Sequence, residues 1–176
     1  MKVLKFGGGI IKDPDSVKRI AEVLKLYGTD DLLIVVSAMN KMTNAFEKLV
    51  LLYYTNEDEM EGHLNSIVTY HEGIAKGLFP AESHPVHEEL KGLSENLRSY
   101  LSTRAVPHYD FEYDQVVPYG ELFSSLIVHH QLAEAGIPNQ LFDARQLILT
   151  DNNYRHAIPD VLLTSEAVRS NMGKFY

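Results

Sequence analysis

A lysine followed by a run of glycines lies near the start of the chain, in Lys5-Phe6-Gly7-Gly8-Gly9. A lysine supplies a compact positive charge that can meet a phosphate. Glycines let backbone N–H groups approach an anion closely and adopt φ > 0 without strain. The segment therefore suggests a phosphate-binding loop, although a tight strand-to-helix turn in an ordinary α/β protein would use the same glycines.

Two familiar glycine-rich phosphate-binding patterns do not fit this loop. The Walker pattern needs Gly-Lys-Ser/Thr at its end, whereas this loop ends in Gly9-Ile10. The dinucleotide fingerprint needs a third glycine that the chain lacks at that position. Because Lys5 precedes the glycines instead of following them, another scheme of phosphate binding is required.

Two further stretches carry groups suited to a small charged substrate. One runs from Ser37 to Thr43, and the other surrounds Glu121 at the start of an apolar segment, residues 120–135. A carboxylate at a helix start is favoured by the helix dipole and can hold a cationic substrate group. It can equally cap its own helix, and the sequence leaves both roles open.

The elements that must position these groups begin with a strand–helix–strand unit. Residues 2–6 and 32–36 are short apolar runs typical of interior parallel strands. Between them, Asp13-Pro14 marks a helix start and Gly28 suits its end. Since ligands gather beyond the carboxyl ends of parallel strands, the loops after Lys5 and at Ser37 are expected to face one crevice.

The remaining pattern predicts a mixed α/β chain. Asn44 and Glu47 have capping-box-like spacing for a helix over about 44–54. A largely helical excursion is expected over about 44–103, and a short aromatic-acidic link over 109–113. Further helices are predicted at 58–77, 86–102, 120–135 and 165–173, and candidate strands at 139–143 and 147–149. The expected fold is a three-layer α/β/α sandwich with a mainly parallel sheet.

Composition narrows the classes of function. The chain has 176 residues, a formal net charge of −8 and no cysteine. An acidic surface argues against broad binding to nucleic acid or anionic membranes, and no apolar run approaches the ~20 residues of a membrane span. His84 and His87 invite a metal interpretation, but a helix start between them separates their backbone geometries, so no metal ligand is predicted. A cytoplasmic protein is the simplest expectation.

Five motifs in order resemble those of the aspartokinases within the amino acid kinase family. They are Lys-Phe-Gly-Gly at 5–8, Val-Val-Ser-Ala-Met at 35–39 with Thr43-Asn44, Gly-Glu-Leu-Phe-Ser-Ser at 120–125, Ala-Gly-Ile-Pro at 135–138, and Asp143-Ala144-Arg145 with Thr150-Asp151. Each motif is modest alone. Their order and spacing, from residue 2 to about 172, make the resemblance specific.

The resemblance implies ATP-dependent phosphorylation of the L-aspartate side chain to 4-phospho-L-aspartate, which feeds lysine, threonine and methionine synthesis. ATP and Mg²⁺ are the implied cofactors, and a homo-oligomer is the implied assembly. Lys5 would stabilise the transferring phosphoryl group, and the amides of Gly7 and Gly8 would line the phosphates. Ser37 and Thr43 would bound the aspartate side of the pocket, and Glu121 would meet its α-ammonium group.

The chain departs from the family pattern in two ways. Gly9-Ile10 stands where the family usually has a small residue or Thr and then Ser. The family also continues through a nucleotide-binding lobe and regulatory domains, so residues 1–176 correspond to the N-terminal, aspartate-binding lobe. We therefore expect no appreciable turnover from this chain alone. The alternatives are an amino acid kinase with another acceptor, such as glutamate, carbamate or acetylglutamate, and a noncatalytic binding or regulatory module.

Overall fold

A parallel pair of strands and a set of helices make up the computed structural model, which describes residues 2–103 and 108–173. The strands are β1 (Lys2–Phe6) and β2 (Leu32–Val36). The helices of the described part are α1 (Pro14–Tyr27), α2 (Met42–Thr55), α3 (Glu57–Leu78), α4 (Pro85–Leu101), α5 (Tyr109–Val116), α6 (Tyr119–Glu134) and α7 (Val161–Met172), with a 3-10 turn at Ala144–Gln146.

The opening strand–helix–strand unit forms as its sequence predicts. β1 and β2 pair in parallel, from Lys2 opposite Leu32 to Phe6 opposite Val36. The Asp13 carboxylate accepts a hydrogen bond from the Ser16 N–H over 2.7 Å and caps α1. Gly28 ends the helix with a φ of 79°, in the left-handed region that favours glycine. The α/β class with a parallel sheet is thus confirmed.

The two faces of this sheet differ in their surroundings. Leu4, Phe6 and Ile34 pack into the hydrophobic core, to which the helices contribute most of the side chains. On the opposite face, alternation along the strands brings out Val3 and Val35, which are 56% and 42% exposed. The helices of the described residues therefore cover one face of the sheet, and with it they form two of the three layers of the expected sandwich.

The predicted excursion over 44–103 is helical, as α2, α3 and α4 show, but α2 starts earlier than expected. It begins at Met42, and its N-cap residue, Lys41, makes no capping bond through its side chain. Asn44 lies inside the helix, so the predicted capping box is wrong. The Glu47 carboxylate instead accepts a hydrogen bond from the Tyr113 hydroxyl over 2.7 Å. A tertiary contact has replaced the local one.

Three predictions for the second half need correction. Residues 109–113 belong to helix α5, whose N-cap His108 accepts a hydrogen bond from the Phe111 N–H. The candidate strands at 139–143 and 147–149 are irregular in the structure, because neither pairs with β1 or β2. The last helix starts at Val161, since the Asp160 carboxylate caps the N–H of Leu163. None of the described helices combines the length and the apolar character needed to cross a bilayer.

Candidate functional site

The candidate site lies where the two strands end. The N–H of Ser37 donates to the carbonyl of Phe6 over 3.0 Å, so the chain leaves both strands at the same level. The loop after β1 and the loop after β2 therefore start side by side. This is the convergence that a parallel pair predicts for its carboxyl ends.

Gly8 brings these two loops into close contact. A Cβ atom on Gly8 would lie 2.2 Å from the Ala38 carbonyl oxygen and 2.9 Å from that of Asn40, so only glycine fits. The Gly8 carbonyl in turn accepts a hydrogen bond from the Asn40 N–H over 2.9 Å. A Cβ on Gly7 would meet nothing within 4 Å, so sterics demand glycine at position 8 alone of this pair.

The first turn of α6 holds the loop after β2 from the other side. The Glu121 Oε1 atom accepts a hydrogen bond from the Ala38 N–H over 3.2 Å. The Ser124 Oγ accepts one from the Met39 N–H over 2.9 Å. A Cβ on Gly120 would lie 2.9 Å from the Ala38 Cβ, which shows how closely the helix approaches the loop.

The role of Glu121 as a cap of its own helix is excluded by this geometry. The N-cap residue of α6 is Pro118, and no side chain makes a capping bond there. The Glu121 carboxylate instead reaches a backbone amide 83 residues away in the sequence. It is half-buried, and the structure gives its Oε2 atom no partner among the residues described.

Most of the predicted site residues lie around the turn after β2, whereas Lys5 lies apart from them on the sheet. Gly8, Ser37 and Glu121 meet around one turn, with Gly7 next to them. Thr43, half-buried, lies in the first turn of α2, directly beyond the same loop. Lys5 ends up on the exposed face of the sheet, opposite Val35, and its Nζ makes no hydrogen bond or ion pair within the described part of the chain.

Ser124 and Asn40 lie in stretches that the sequence singles out, but the sequence pattern assigned neither of them a role. Ser124 is fully buried and follows Glu121 by three residues, so both lie on one face of α6. That spacing was the available signal. Asn40 has a φ of 49°, a left-handed conformation that asparagine tolerates better than most residues. Nothing in the linear pattern marks that conformation.

Arg145 is committed to a local ion pair. Its guanidinium meets the Asp143 carboxylate at 2.6 Å, and it lies 6.0 Å from the centre of the Tyr119 ring. Burial raises the pKa of Asp143, but the hydrogen bonds from Arg145 outweigh that effect and hold the pKa below its usual value. The pairing supports a structural role for Asp143 and Arg145.

Outside the candidate site, the described residues indicate neither a metal site nor a second phosphate site. In residues 2–103 and 108–173 no three side chains of His, Asp or Glu are grouped so that they can hold a metal ion. An open depression of about 410 Å³ lies between the start of α3 and the end of α4. Its lining includes Glu57, Asp58 and Glu61, and Arg98, which also lines it, is paired with Glu61, so the depression does not suit a phosphate.

Comparison with known proteins gives a consistent set of relatives. The model of the amino acid kinase family matches residues 1–171. Lysine-sensitive aspartokinase 3 of Escherichia coli K12 is 28% identical over 165 residues, which cover 93% of this chain and 35% of the relative. The chloroplastic bifunctional aspartokinase/homoserine dehydrogenase 2 of Zea mays is 28% identical over 167 residues, covering 91% of this chain and 18% of the relative.

Two solved structures of E. coli aspartokinase III share the fold. The complex with lysine and aspartate, a T-state, matches with a TM-score of 0.85 and 27% identity. The complex with aspartate and ADP, an R-state, matches with a TM-score of 0.82 and 28% identity. Each match covers 98% of this chain and 38% of the solved chain. The chain thus spans about a third of these bacterial relatives and less of the bifunctional ones.

Proposed function

Because this chain belongs to the amino acid kinase family, we propose that it forms the L-aspartate-binding part of an aspartate kinase. Such an enzyme moves the γ-phosphoryl group of ATP to the side-chain carboxylate of L-aspartate and produces 4-phospho-L-aspartate. The observation that carries the proposal is the carboxylate of Glu121, held by the Ala38 N–H at the end of the parallel strands.

Glu121 is proposed to bind the α-ammonium group of L-aspartate. Its Oε1 atom is engaged by the Ala38 N–H, which fixes the carboxylate and leaves Oε2 for a cation. A charge-assisted hydrogen bond from an ammonium group is stronger than a neutral one. Ser37 and Thr43 then supply hydroxyls beside the same turn for the acceptor end of the substrate.

Lys5 and the glycine loop are proposed to serve the phosphoryl group. Phosphoryl transfer depends on positioning and on neutralising the charge that spreads over the phosphoryl oxygens. Lys5 projects from the sheet with no counter-charge in the described part of the chain, so its ammonium group is available for this task. The Gly8 N–H donates to no described carbonyl, and together with the Gly7 N–H it is proposed to line the phosphates.

Mg²⁺ is proposed to bind together with ATP. The described residues hold no group of carboxylates that would bind the metal by themselves. Bound by the phosphates of ATP, Mg²⁺ would supply further positive charge to the transferring group. The fit of this chain to ATP rests on Lys5, Gly7 and Gly8. One solved relative is described as a complex with aspartate and ADP.

The proposed activity also implies a pathway, a cellular location and an assembly for the protein. An aspartate kinase opens the synthesis of lysine, threonine and methionine, and we place this one in the cytoplasm as a homo-oligomer. In this proposal residues 1–176 form the aspartate-binding lobe. We expect no appreciable turnover from this chain alone, since it covers 38% of the matched aspartokinase III chain.

A noncatalytic binding module is the second candidate. Ile10 follows the glycines where the family pattern places a hydroxyl, and its side chain is 62% exposed. A phosphate loop without that hydroxyl favours ligand binding without transfer. The two candidates share the aspartate site and differ in the phosphoryl step.

Titration calorimetry with two matched ligands tests the aspartate site. L-aspartate and succinate share both carboxylates, but succinate lacks the α-ammonium group. We expect the chain to bind L-aspartate at least about tenfold more tightly than succinate, the value of one charge-assisted hydrogen bond. Glu121→Gln removes the negative charge at nearly constant volume, and we expect it to abolish that preference.

The outcomes separate the candidates. Equal affinity of the unaltered chain for L-aspartate and succinate, or no binding of either, would contradict the proposed aspartate site. Kinase against binding module is decided by trapping the acyl phosphate with hydroxylamine, in the longest polypeptide that contains this chain. Aspartyl hydroxamate formed from ATP and L-aspartate supports the kinase, and its absence despite aspartate binding supports the module.

A further inference from the structure

Ser124 connects the first turn of α6 to the turn that bears Ser37. The Oγ atom accepts a hydrogen bond from the Met39 N–H over 2.9 Å and donates one to the Gly120 carbonyl over 2.7 Å. Both Met39 and Ser124 are fully buried. The hydroxyl thus satisfies a backbone amide that has no access to water, and such an amide is costly to leave unpaired.

Glu121 and Ser124 hold two successive amides of one turn. Glu121 takes the N–H of Ala38, and Ser124 takes the N–H of Met39. The two side chains are three residues apart and therefore neighbours on one helix face. A single face of α6 thereby fixes the backbone direction immediately after Ser37.

Close contacts on both sides prevent the backbone of this turn from shifting. Gly8 approaches the Ala38 carbonyl so closely that a Cβ there would lie 2.2 Å from its oxygen. Gly120 approaches the Ala38 side chain from α6, and a Cβ there would lie 2.9 Å from the Ala38 Cβ. The turn is confined between the glycine loop and the helix.

We propose that Ser124 is a positioning residue of the acceptor site, an inference that rests on the proposed function. Glu121 has to hold both the Ala38 N–H and the α-ammonium group of the substrate, whereas Ser124 bonds only backbone groups, at Met39 and Gly120. Ser124 therefore keeps the turn in place when the ligand draws on the Glu121 carboxylate. Being buried, Ser124 acts through the Met39 backbone and does not touch the substrate.

The test compares two buried serines. Ser124→Ala removes the bond to Met39, and Ser94→Ala is its matched control. Ser94 is 5% exposed, and its Oγ donates back to the Lys91 carbonyl but holds no distant amide. Ser124→Cys, which fills the site with a weakly hydrogen-bonding thiol, covers the case in which the alanine variant does not fold.

Two readouts are measured on each variant of the chain. Residue-resolved hydrogen exchange at the Met39 amide should accelerate at least about tenfold in Ser124→Ala, because the amide loses one hydrogen bond. The exchange rates of the β1 and β2 amides should change no more in Ser124→Ala than in Ser94→Ala. The dissociation constant for L-aspartate should rise about tenfold in Ser124→Ala and stay within about twofold in Ser94→Ala.

Binding by the unaltered chain tests the proposed function, and binding by Ser124→Ala tests the role of Ser124. If the unaltered chain binds L-aspartate and Ser124→Ala binds it equally well, Ser124 has no positioning role. The same holds if Ser94→Ala weakens binding as much. If the unaltered chain does not bind L-aspartate, the proposed function fails. If hydrogen exchange at the Met39 amide is unchanged in Ser124→Ala, Ser124 does not hold the turn, whatever the binding result.

Discussion

The imidazole ring of His71 stacks on the phenyl ring of Phe123, with the ring centroids 4.8 Å apart and the ring planes at 23°. The pair lies in the core, where α3 meets α6. The His71 Nδ1 donates to the Ile67 carbonyl over 2.8 Å, while Nε2 has no partner among the described residues. Burial lowers the pKa of His71 to about 4.

This buried histidine should make the protein sensitive to mild acid. The unfolded chain binds a proton at His71 below about pH 6.5, whereas the folded chain resists it until about pH 4. The free energy of unfolding should therefore be at its full value above pH 6.5 and fall as the pH drops toward 4. From pH 7.5 to pH 5 the loss at this one residue is about 2 kcal/mol, since each pKa unit is worth about 1.4 kcal/mol.

Urea unfolding of His71→Phe at both pH values measures that loss. The variant keeps an aromatic ring against Phe123 and removes the titrating group, so its stability should depend less on pH by about 2 kcal/mol. His156→Phe makes the same change at an exposed position and should leave the pH dependence as it is. A pH dependence unchanged by His71→Phe would contradict the assignment.

Gly8→Ala should separate the two loops of the site. The new Cβ would lie 2.2 Å from the Ala38 carbonyl oxygen, and backbone cannot move aside as a side chain end can. We expect the free energy of unfolding to fall by about 1–3 kcal/mol, the usual cost of an overpacked site. Gly9→Ala, where a Cβ meets nothing within 4 Å, should change it by less than about 0.5 kcal/mol. Equal losses in urea unfolding would refute the close contact.

Lys5→Met should separate the two halves of the proposed reaction. If Lys5 serves the phosphoryl group, Mg·ATP should bind at least about tenfold more weakly to the variant, the value of one charge-assisted contact. L-aspartate affinity should stay within about twofold, because Lys5 lies on the face of the sheet away from the core. Calorimetry with each ligand, on the longest polypeptide containing this chain, measures both. A matching loss for both ligands would place Lys5 in the acceptor site instead.

Arg155 should anchor the segment at 150–159 to α5. Its guanidinium lies 4.4 Å from the centre of the Tyr113 ring and bonds Asp110, and its N–H donates to Asp114. Its φ of 63° lies in the left-handed region, which costs an arginine more than it costs glycine. Arg155→Ala should speed proteolytic cleavage of this segment and lower the melting temperature.

Arg155→Gly loses the same side-chain contacts but relieves the backbone. Its melting temperature should therefore lie above that of Arg155→Ala, although below that of the unaltered chain. Identical melting temperatures for the two variants would show that the backbone conformation carries no strain.

The local pattern predicted the elements that carry their own signals. The strands around α1 are short apolar runs bounded by turn residues, and α1 has a capping residue and a terminal glycine, so their positions were correct. The helices over 44–103 have strong periodicity, and only their ends shifted. The residues at the carboxyl ends of β1 and β2 followed directly from parallel pairing.

The failures share a different cause. A strand needs a partner, and the apolar run Leu147-Ile148-Leu149 does not say whether one is present. The Asp143 carboxylate accepts the N–H of Arg145 and starts a 3-10 turn directly between the two candidate strands. The role of Ser124 was not predicted because its hydrogen bond reaches Met39, 85 residues away, and does not depend on its neighbours in sequence.

The open face of the two-stranded sheet has a consequence for handling the protein. Within residues 2–103 and 108–173 each strand has one unpaired edge, and the exposed face carries Val3 and Val35, an arrangement that favours strand addition between copies of the chain. Lys5 lies directly opposite Val35 and two residues after Val3, so it places a charge beside both valines on this face. The lysine proposed for phosphoryl transfer should therefore also oppose self-association through this face, and replacing it with an apolar residue should lower the solubility of the chain.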